Sequence, residues 1–142
     1  MKKNVLSVFV VILTVFCGFF LSCEVGLGDS IDTKVPKVEI TLPSSGYIVR
    51  DEFTISGTWS DDGELKEIDV VLKNTSTKKQ YPETDSFKAT IIKTSINEDG
   101  ENGGNWTCKI NPFSESKIPD GSYEVSVTAI DTAGNKTGAT KG

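Results

Sequence analysis

The chain contains no histidine. Without an imidazole, neither a Ser-His-Asp nor a Cys-His nucleophile system can be assembled, and histidine metal sites are excluded. A phosphate-cradling glycine loop is also missing. Gly103 and Gly104 lie in an acidic stretch with no Lys-Ser/Thr after them. Ser114 and Lys117 have the Ser-x-x-Lys spacing of one acylation motif, but the companion Ser-Asp-Asn and Lys-Thr-Gly motifs are absent. They read as a polar loop. Basic residues are few, with 15 Lys+Arg against 20 Asp+Glu and a formal charge of −5. An acidic chain without a basic patch argues against nucleic-acid binding, and against holding anionic lipid by charge alone. Cysteines number three, at 17, 23 and 108. Beyond Pro36 no segment carries a helical period.

What is present begins at the N-terminus. Lys2 and Lys3 precede an uncharged run from Val5 to Leu21, VLSVFVVILTVFCGFFL. A positive flank followed by an apolar core is the layout of a secretory signal. The alternative is an uncleaved membrane anchor, for which about 20 apolar residues are usual. No basic stop-transfer cluster follows. The two lysines place the N-terminus on the cytoplasmic side under either reading, so the rest is exported.

Phe20-Leu21-Ser22-Cys23 resembles a bacterial lipobox. Ser22 supplies the small residue before the cysteine; Phe20 stands where leucine is usual, and Leu21 is larger than typical. Cys17 follows bulky Phe16 and fits less well. The resemblance implies cleavage between Ser22 and Cys23 and a diacylglyceryl group on Cys23. Membrane lipid is then the first partner, and that lipid the only attached group expected. The chain divides into a signal peptide (1–22), a lipidated cysteine with a polar tether (23–35) and a domain (36–142). Loss of Lys2 and Lys3 takes the formal charge from −5 to −7. Cys108 is left alone, so no intrachain disulfide forms. It could pair between chains, but a small buried hydrophobe is the simpler role.

From Pro36 the pattern has period 2. Val38, Ile40 and Leu42 alternate with polar residues; so do Phe53, Ile55, Gly57 and Trp59, then Ile68, Val70 and Leu72. Turn signals separate them: PSSG at 43–46, SDDG at 60–63, IPDG at 118–121 and DTAGN at 131–135. Lys73–Gln80 reads as a connection or an edge, Phe87–Ile92 as a weaker strand, and Asn97–Asn105 as a long loop. Trp106, Cys108 and Ile110 alternate again, as do Tyr123, Val125, Val127 and Ala129. About seven short strands of this kind predict an all-β, single antiparallel sandwich.

Three pieces carry a more specific likeness: PKVEITLPSSGYIV, FTISGTWSDDGELKEIDVVL and DGSYEVSVTAIDTAGN. In order and spacing they resemble the bacterial Ig-like domains of exported proteins. The resemblance implies a tyrosine corner at Tyr123, entering strand F, with Val125 and Ile55 as an apolar pair where immunoglobulins place cysteines. Val70, Trp59 and Trp106 complete the expected core; for the two tryptophans a carbohydrate-stacking platform is the sharper alternative. Tyr47 is expected to be exposed. After Asn135 only Ala139 is apolar, so the last strand is expected to be poor. A missing strand would leave an edge open to strand addition, or mark a shortened product.

Carboxylates gather at Asp61, Asp62 and Glu64 and at Glu98, Asp99 and Glu101. Asp61, Asp62 and Asp99 are the candidates for calcium, although neither cluster has EF-hand spacing and solvated turns explain them as simply. The functional expectation is a non-enzymatic binding or adhesion module. It would be lipid-anchored to the cell membrane or outer membrane and face the periplasm or the exterior. Its partner would be a protein or glycan, not nucleic acid. A structural spacer is the alternative; an enzyme with paired carboxylates ranks last.

Overall fold

A computed structural model describes residues 32–96, 100–114 and 117–142, with backbone alone at 95 and 96. The signal segment, Cys17, Ser22, Cys23, Glu98 and Asp99 lie outside the described residues. Among the described residues nine strands run in order: β1 (Lys37–Leu42), β2 (Phe53–Asp61), β3 (Leu65–Asn74), β4 (Gln80–Tyr81), β5 (Phe87–Lys88), β6 (Thr90–Ile96), β7 (Asn102–Ile110), β8 (Tyr123–Asp131) and β9 (Lys136–Lys141). One sheet has the order β1-β2-β7-β6; the other has β4-β3-β8-β9, with β5 also on β3. All pairings are antiparallel. This is the ABED-against-CFG arrangement of an Ig-like sandwich. Among the described residues no helix is long and apolar enough to cross a membrane.

The period-2 pattern builds the core directly. Ile55 and Trp59 of β2, Ile68, Val70 and Leu72 of β3, Trp106, Cys108 and Ile110 of β7, and Val125 and Val127 of β8 are all buried in one cluster. Successive residues of a strand point to opposite faces, so each strand contributes one apolar side inward. Tyr81 of β4 meets Tyr123 edge-on at a centroid distance of 6.0 Å. Cys108 is buried, and desolvation pushes its thiol up to about 11. It acts as a core hydrophobe.

Three expectations change. The strand expected over Phe87–Ile92 is two strands in different sheets. Phe87 and Lys88 pair with Val70 and Asp69, and the Ala89 N–H still donates to the Ile68 carbonyl at 3.0 Å. From Thr90 the chain pairs with β7 instead. Side-chain alternation carries no record of which backbone accepts the next hydrogen bond.

The loop expected over Asn97–Asn105 gives up its second half to β7, which starts at Asn102. Two glycines lower strand propensity, but Gly104 has a packing reason to be glycine. A Cβ there would collide with the Ile92 carbonyl oxygen of β6.

The poor last strand forms completely. β9 pairs with β8 from Ile130↔Lys136 to Val125↔Lys141. Only Ala139 packs against the core. The ladder needs backbone groups, not apolar side chains, and Lys141 Nζ also donates to the carbonyls of Ile40 (3.2 Å) and Thr41 (2.9 Å) on β1. The strand-addition template expected along β8 is therefore already filled.

Candidate functional site

Strand direction sorts the loops to two ends. At one end β2 finishes at Asp61, opposite Asn102 where β7 starts, and β3 starts at Leu65, opposite Asp131 where β8 finishes. Residues 32–36 lead into β1 here. At the other end β1 finishes at Leu42, β7 at Ile110 and β3 at Asn74, while β2 and β8 begin.

The first end is acidic. One carboxylate oxygen from each of Asp32, Asp61 and Asp62 lies within 4.8 Å of the other two. Asp61 is only 3% exposed, and neither of its carboxylate oxygens has a hydrogen-bond partner among the described residues. Burial raises the Asp61 carboxyl above its ordinary value; the neighbouring charges of Asp131, Asp32 and Asp62 add to this, and the Gly63 backbone offsets it only in part. Asp61 lines a recess of ≈ 480 Å³ together with Thr33, Lys34, Ser60 and Asp62.

Local geometry holds these groups in place. Asn102 Nδ2 donates to the Gly63 carbonyl at 2.6 Å and fixes the turn after β2. A Cβ on Gly63 would sit 2.9 Å from Asp32 Oδ2 and 3.4 Å from Asp61 Oδ2, so glycine lets the carboxylates close in. Asp32 Oδ1 accepts the Lys34 N–H at 3.0 Å, and the Asp32 carbonyl accepts Asn135 Nδ2 at 3.1 Å. Lys34 Nζ reaches Asp62 at 3.1 Å, and Lys37 pairs with Glu101 at 3.2 Å.

Asp131 is buried beside them with its oxygens occupied. Oδ1 accepts the Asn135 N–H and Oδ2 accepts Asn135 Nδ2, both at 2.8 Å. Burial alone would raise its carboxyl; the side chain and backbone of Asn135, with the N–H groups of Gly134 and Ala133, outweigh burial and hold it below the ordinary value. Asp131 thus stabilises the DTAGN turn.

Of the expected calcium candidates, Asp61 and Asp62 lie among the described residues and Asp99 does not. Asp61 and Asp62 meet Asp32, and Glu101 is taken by Lys37. Asp32 carried no signal in a short polar tether; only the fold brings it to the β2–β3 turn.

The second end exposes large apolar side chains among charged ones. Tyr47 (60% exposed), Ile48 (76%) and Phe113 (72%) lie in its loops, and Leu42 closes β1 there. Trp59 and Trp106 are buried, so neither offers a face for stacking a sugar. Trp106 Nε1 donates to the Glu39 carbonyl at 3.2 Å. The Trp59 indole N–H is buried without a partner among the described residues.

Ile55 is fully buried, Val70 likewise, and Val125 is buried in the same cluster. Tyr123 Oη donates to the Pro119 carbonyl at 2.6 Å, four residues upstream. That is the geometry of a tyrosine corner. Tyr123→Phe keeps the ring and removes this bond. It is expected to cost ~1 kcal/mol, within the usual 0.5–1.5 for a hydrogen bond, read as a lower urea midpoint at unchanged slope.

Comparison with known proteins agrees with this geometry. The family model described as Bacterial Ig domain matches residues 36–127, from the residue before β1 into the middle of β8. β9 lies beyond the match. No curated protein and no solved structure matches the chain significantly. Domains of this family are generally non-catalytic, and the match is consistent with a binding or structural module. With both sheets in ABED and CFG order and the model match spanning more than half its length, the chain belongs to the bacterial Ig domain family.

Proposed function

We propose that this protein is a lipid-anchored binding module of the bacterial cell envelope, held by a diacylglyceryl group on Cys23 and free of catalytic activity. One observation carries the binding half of this reading. Tyr47, Ile48, Phe113 and Leu42 expose apolar surface at the end of the sandwich opposite residues 32–36, through which the tether enters. A spacer has no use for four large exposed apolar side chains at one end, whereas binding surfaces are enriched in aromatic anchors. The partner class is a protein or glycan of the envelope or of a facing surface. The anchoring half rests on the Lys2-Lys3 flank, the uncharged Val5–Leu21 run and the Ser22-Cys23 pair.

Catalysis by paired carboxylates has no support in the acidic end. Asp61 is buried and free, Asp62 is exposed, and Asp131 is bound by Asn135.

Two measurements test the proposal. Mass spectrometry of the mature N-terminus is expected to find a diacyl-modified Cys23, and Cys23→Ala is expected to lose it. An intact Met1 start overturns the anchor. For binding, a Tyr47→Ser, Ile48→Ser, Phe113→Ser triple variant is expected to keep the wild-type thermal midpoint. Exposed substitutions usually change stability by only about ±0.5 kcal/mol each. The variant is expected to lose at least ~tenfold in retention on envelope material, the scale of one or two hot-spot side chains. Unchanged retention identifies a spacer.

A further inference from the structure

The unpartnered carboxylate of Asp61 sits beside two further carboxylates, those of Asp32 and Asp62. We propose that Asp32, Asp61 and Asp62 form a calcium site that ties the segment leading into β1 to the β2–β3 turn.

Three features carry it. First, the donors converge from two parts of the chain. Asp32 belongs to the segment before β1, while Asp61 ends β2 and Asp62 follows it. One oxygen from each lies within 4.8 Å of the other two. Two oxygens on opposite sides of a calcium ion stand about 5 Å apart, given Ca–O bonds of 2.3–2.6 Å. Magnesium, with bonds near 2.0–2.1 Å, would have to draw the whole set to within about 4.2 Å.

Second, Asp61 is 97% buried, and it lines the same recess as Asp62. The Gly63 backbone lies near its carboxylate but outside full hydrogen-bond geometry, and neither oxygen has any other partner among the described residues. Buried polar groups in folded proteins are almost always satisfied, and a buried free carboxylate is among the costliest exceptions. Third, the surroundings are prepared for a positive ion. Gly63 leaves room for the two closest carboxylates, Asn135 pins the Asp32 backbone, and Asp131 adds a negative charge without donating an oxygen.

The groups facing the site include cations as well. Lys34 pairs with Asp62, but its side chain is 67% exposed, and such surface pairs are weak enough for a divalent ion to displace. Lys37 is occupied by Glu101. Calcium takes six to eight oxygens, so water would have to complete the shell.

Binding would hold residues 32–34 against the domain. The site is thus a stiffener of the tether junction, and it stands independently of what the opposite end binds.

The test is a titration of calcium chloride into the chelator-stripped full chain at constant ionic strength, followed by calorimetry and by the thermal midpoint. One saturable site with a dissociation constant of about 10⁻⁴–10⁻³ M is expected, the range of extracellular calcium modules. The midpoint is expected to rise with calcium, because the ion binds the folded state.

Asp61→Asn is expected to bind at least ~tenfold more weakly, since affinity follows the charge of the ligand set. In chelator its midpoint is expected to exceed that of wild type, because one of the crowded charges is gone. Asp32→Asn keeps the acceptor for the Lys34 N–H and is the second variant; it is expected to weaken binding similarly. If Asp61→Asn does not fold, Asp32→Asn alone decides. Magnesium at equal concentration is expected to shift the midpoint far less. No saturable heat up to about 20 mM calcium, well above the module range, overturns the proposal. So does wild-type affinity in the folded variants, which assigns the heat to other acids.

Discussion

Gly57→Ala is expected to remove most of the stability of the sandwich, although it adds a single methyl group. Gly57 lies in the middle of β2, between Ile40 of β1 and Trp106 of β7. A Cβ at this position would collide with the Glu39 carbonyl oxygen and stand 2.7 Å from Trp106 Nε1. Neither neighbour can give way. The Glu39 carbonyl belongs to the strand paired with β2, and the indole is fully buried with its N–H on that same carbonyl. The chain can accept the methyl only by separating β1 from β2 or expelling the indole.

Core overpacking typically costs ~1–3 kcal/mol where neighbours can shift. Here both a rigid backbone and a buried ring must move, so a loss of about 4 kcal/mol or more is expected, in the range reserved for severe mechanisms. Against a typical total of about 5–15 kcal/mol, that leaves a marginal fold. Urea unfolding followed by tryptophan fluorescence measures it. Gly138→Ala is the control: its Cβ would meet only the Val127 carbonyl, at 3.2 Å. A Gly57→Ala protein as stable as the control would show that the indole is not held against β1.

Trp106→Ala is the second large loss. The side chain is fully buried at the centre of β7, among residues of both sheets. Truncation of a buried aromatic leaves a cavity and typically costs about 3–5 kcal/mol. The Glu39 carbonyl also loses the indole N–H. Trp106→Phe restores much of the burial without that hydrogen bond, and is expected to recover part of the loss. Denaturant midpoints for the pair, at unchanged slope, check both numbers. Trp59→Ala tests the other indole. Its N–H has no partner among the described residues, so Trp59→Phe is expected to cost less than Trp106→Phe.

These two positions show what could be read directly and what could not. The alternation of Phe53, Ile55, Gly57 and Trp59 places Gly57 on the inner face of β2. It does not say why a glycine stands among large side chains. The reason is an indole nearly fifty residues later in the chain, and no local pattern connects the two. Gly104 repeats the lesson against Ile92. Conversely, Tyr123 was legible because its corner is closed within four residues, at Pro119.

The acidic end divides in the same way. Asp61 and Asp62 were visible as a charged turn. Their burial, their free oxygens and their meeting with Asp32 were not. Asp99, the candidate in the other acidic cluster, lies outside the described residues.

The amino-acid sequence by itself determined the class of this protein: β-strands from period 2, one sandwich from their number, and an Ig-like fold from three stretches whose order resembles bacterial Ig-like domains. These are properties of a strand's own two faces and of short turns, which local chemistry controls. Tertiary structure alone decided the change of sheet at Ala89, the completion of β9 and the union of Asp32 with Asp61 and Asp62. Each depends on which distant backbone or side chain arrives alongside, and strand pairing and close packing settle that only when the whole chain has folded.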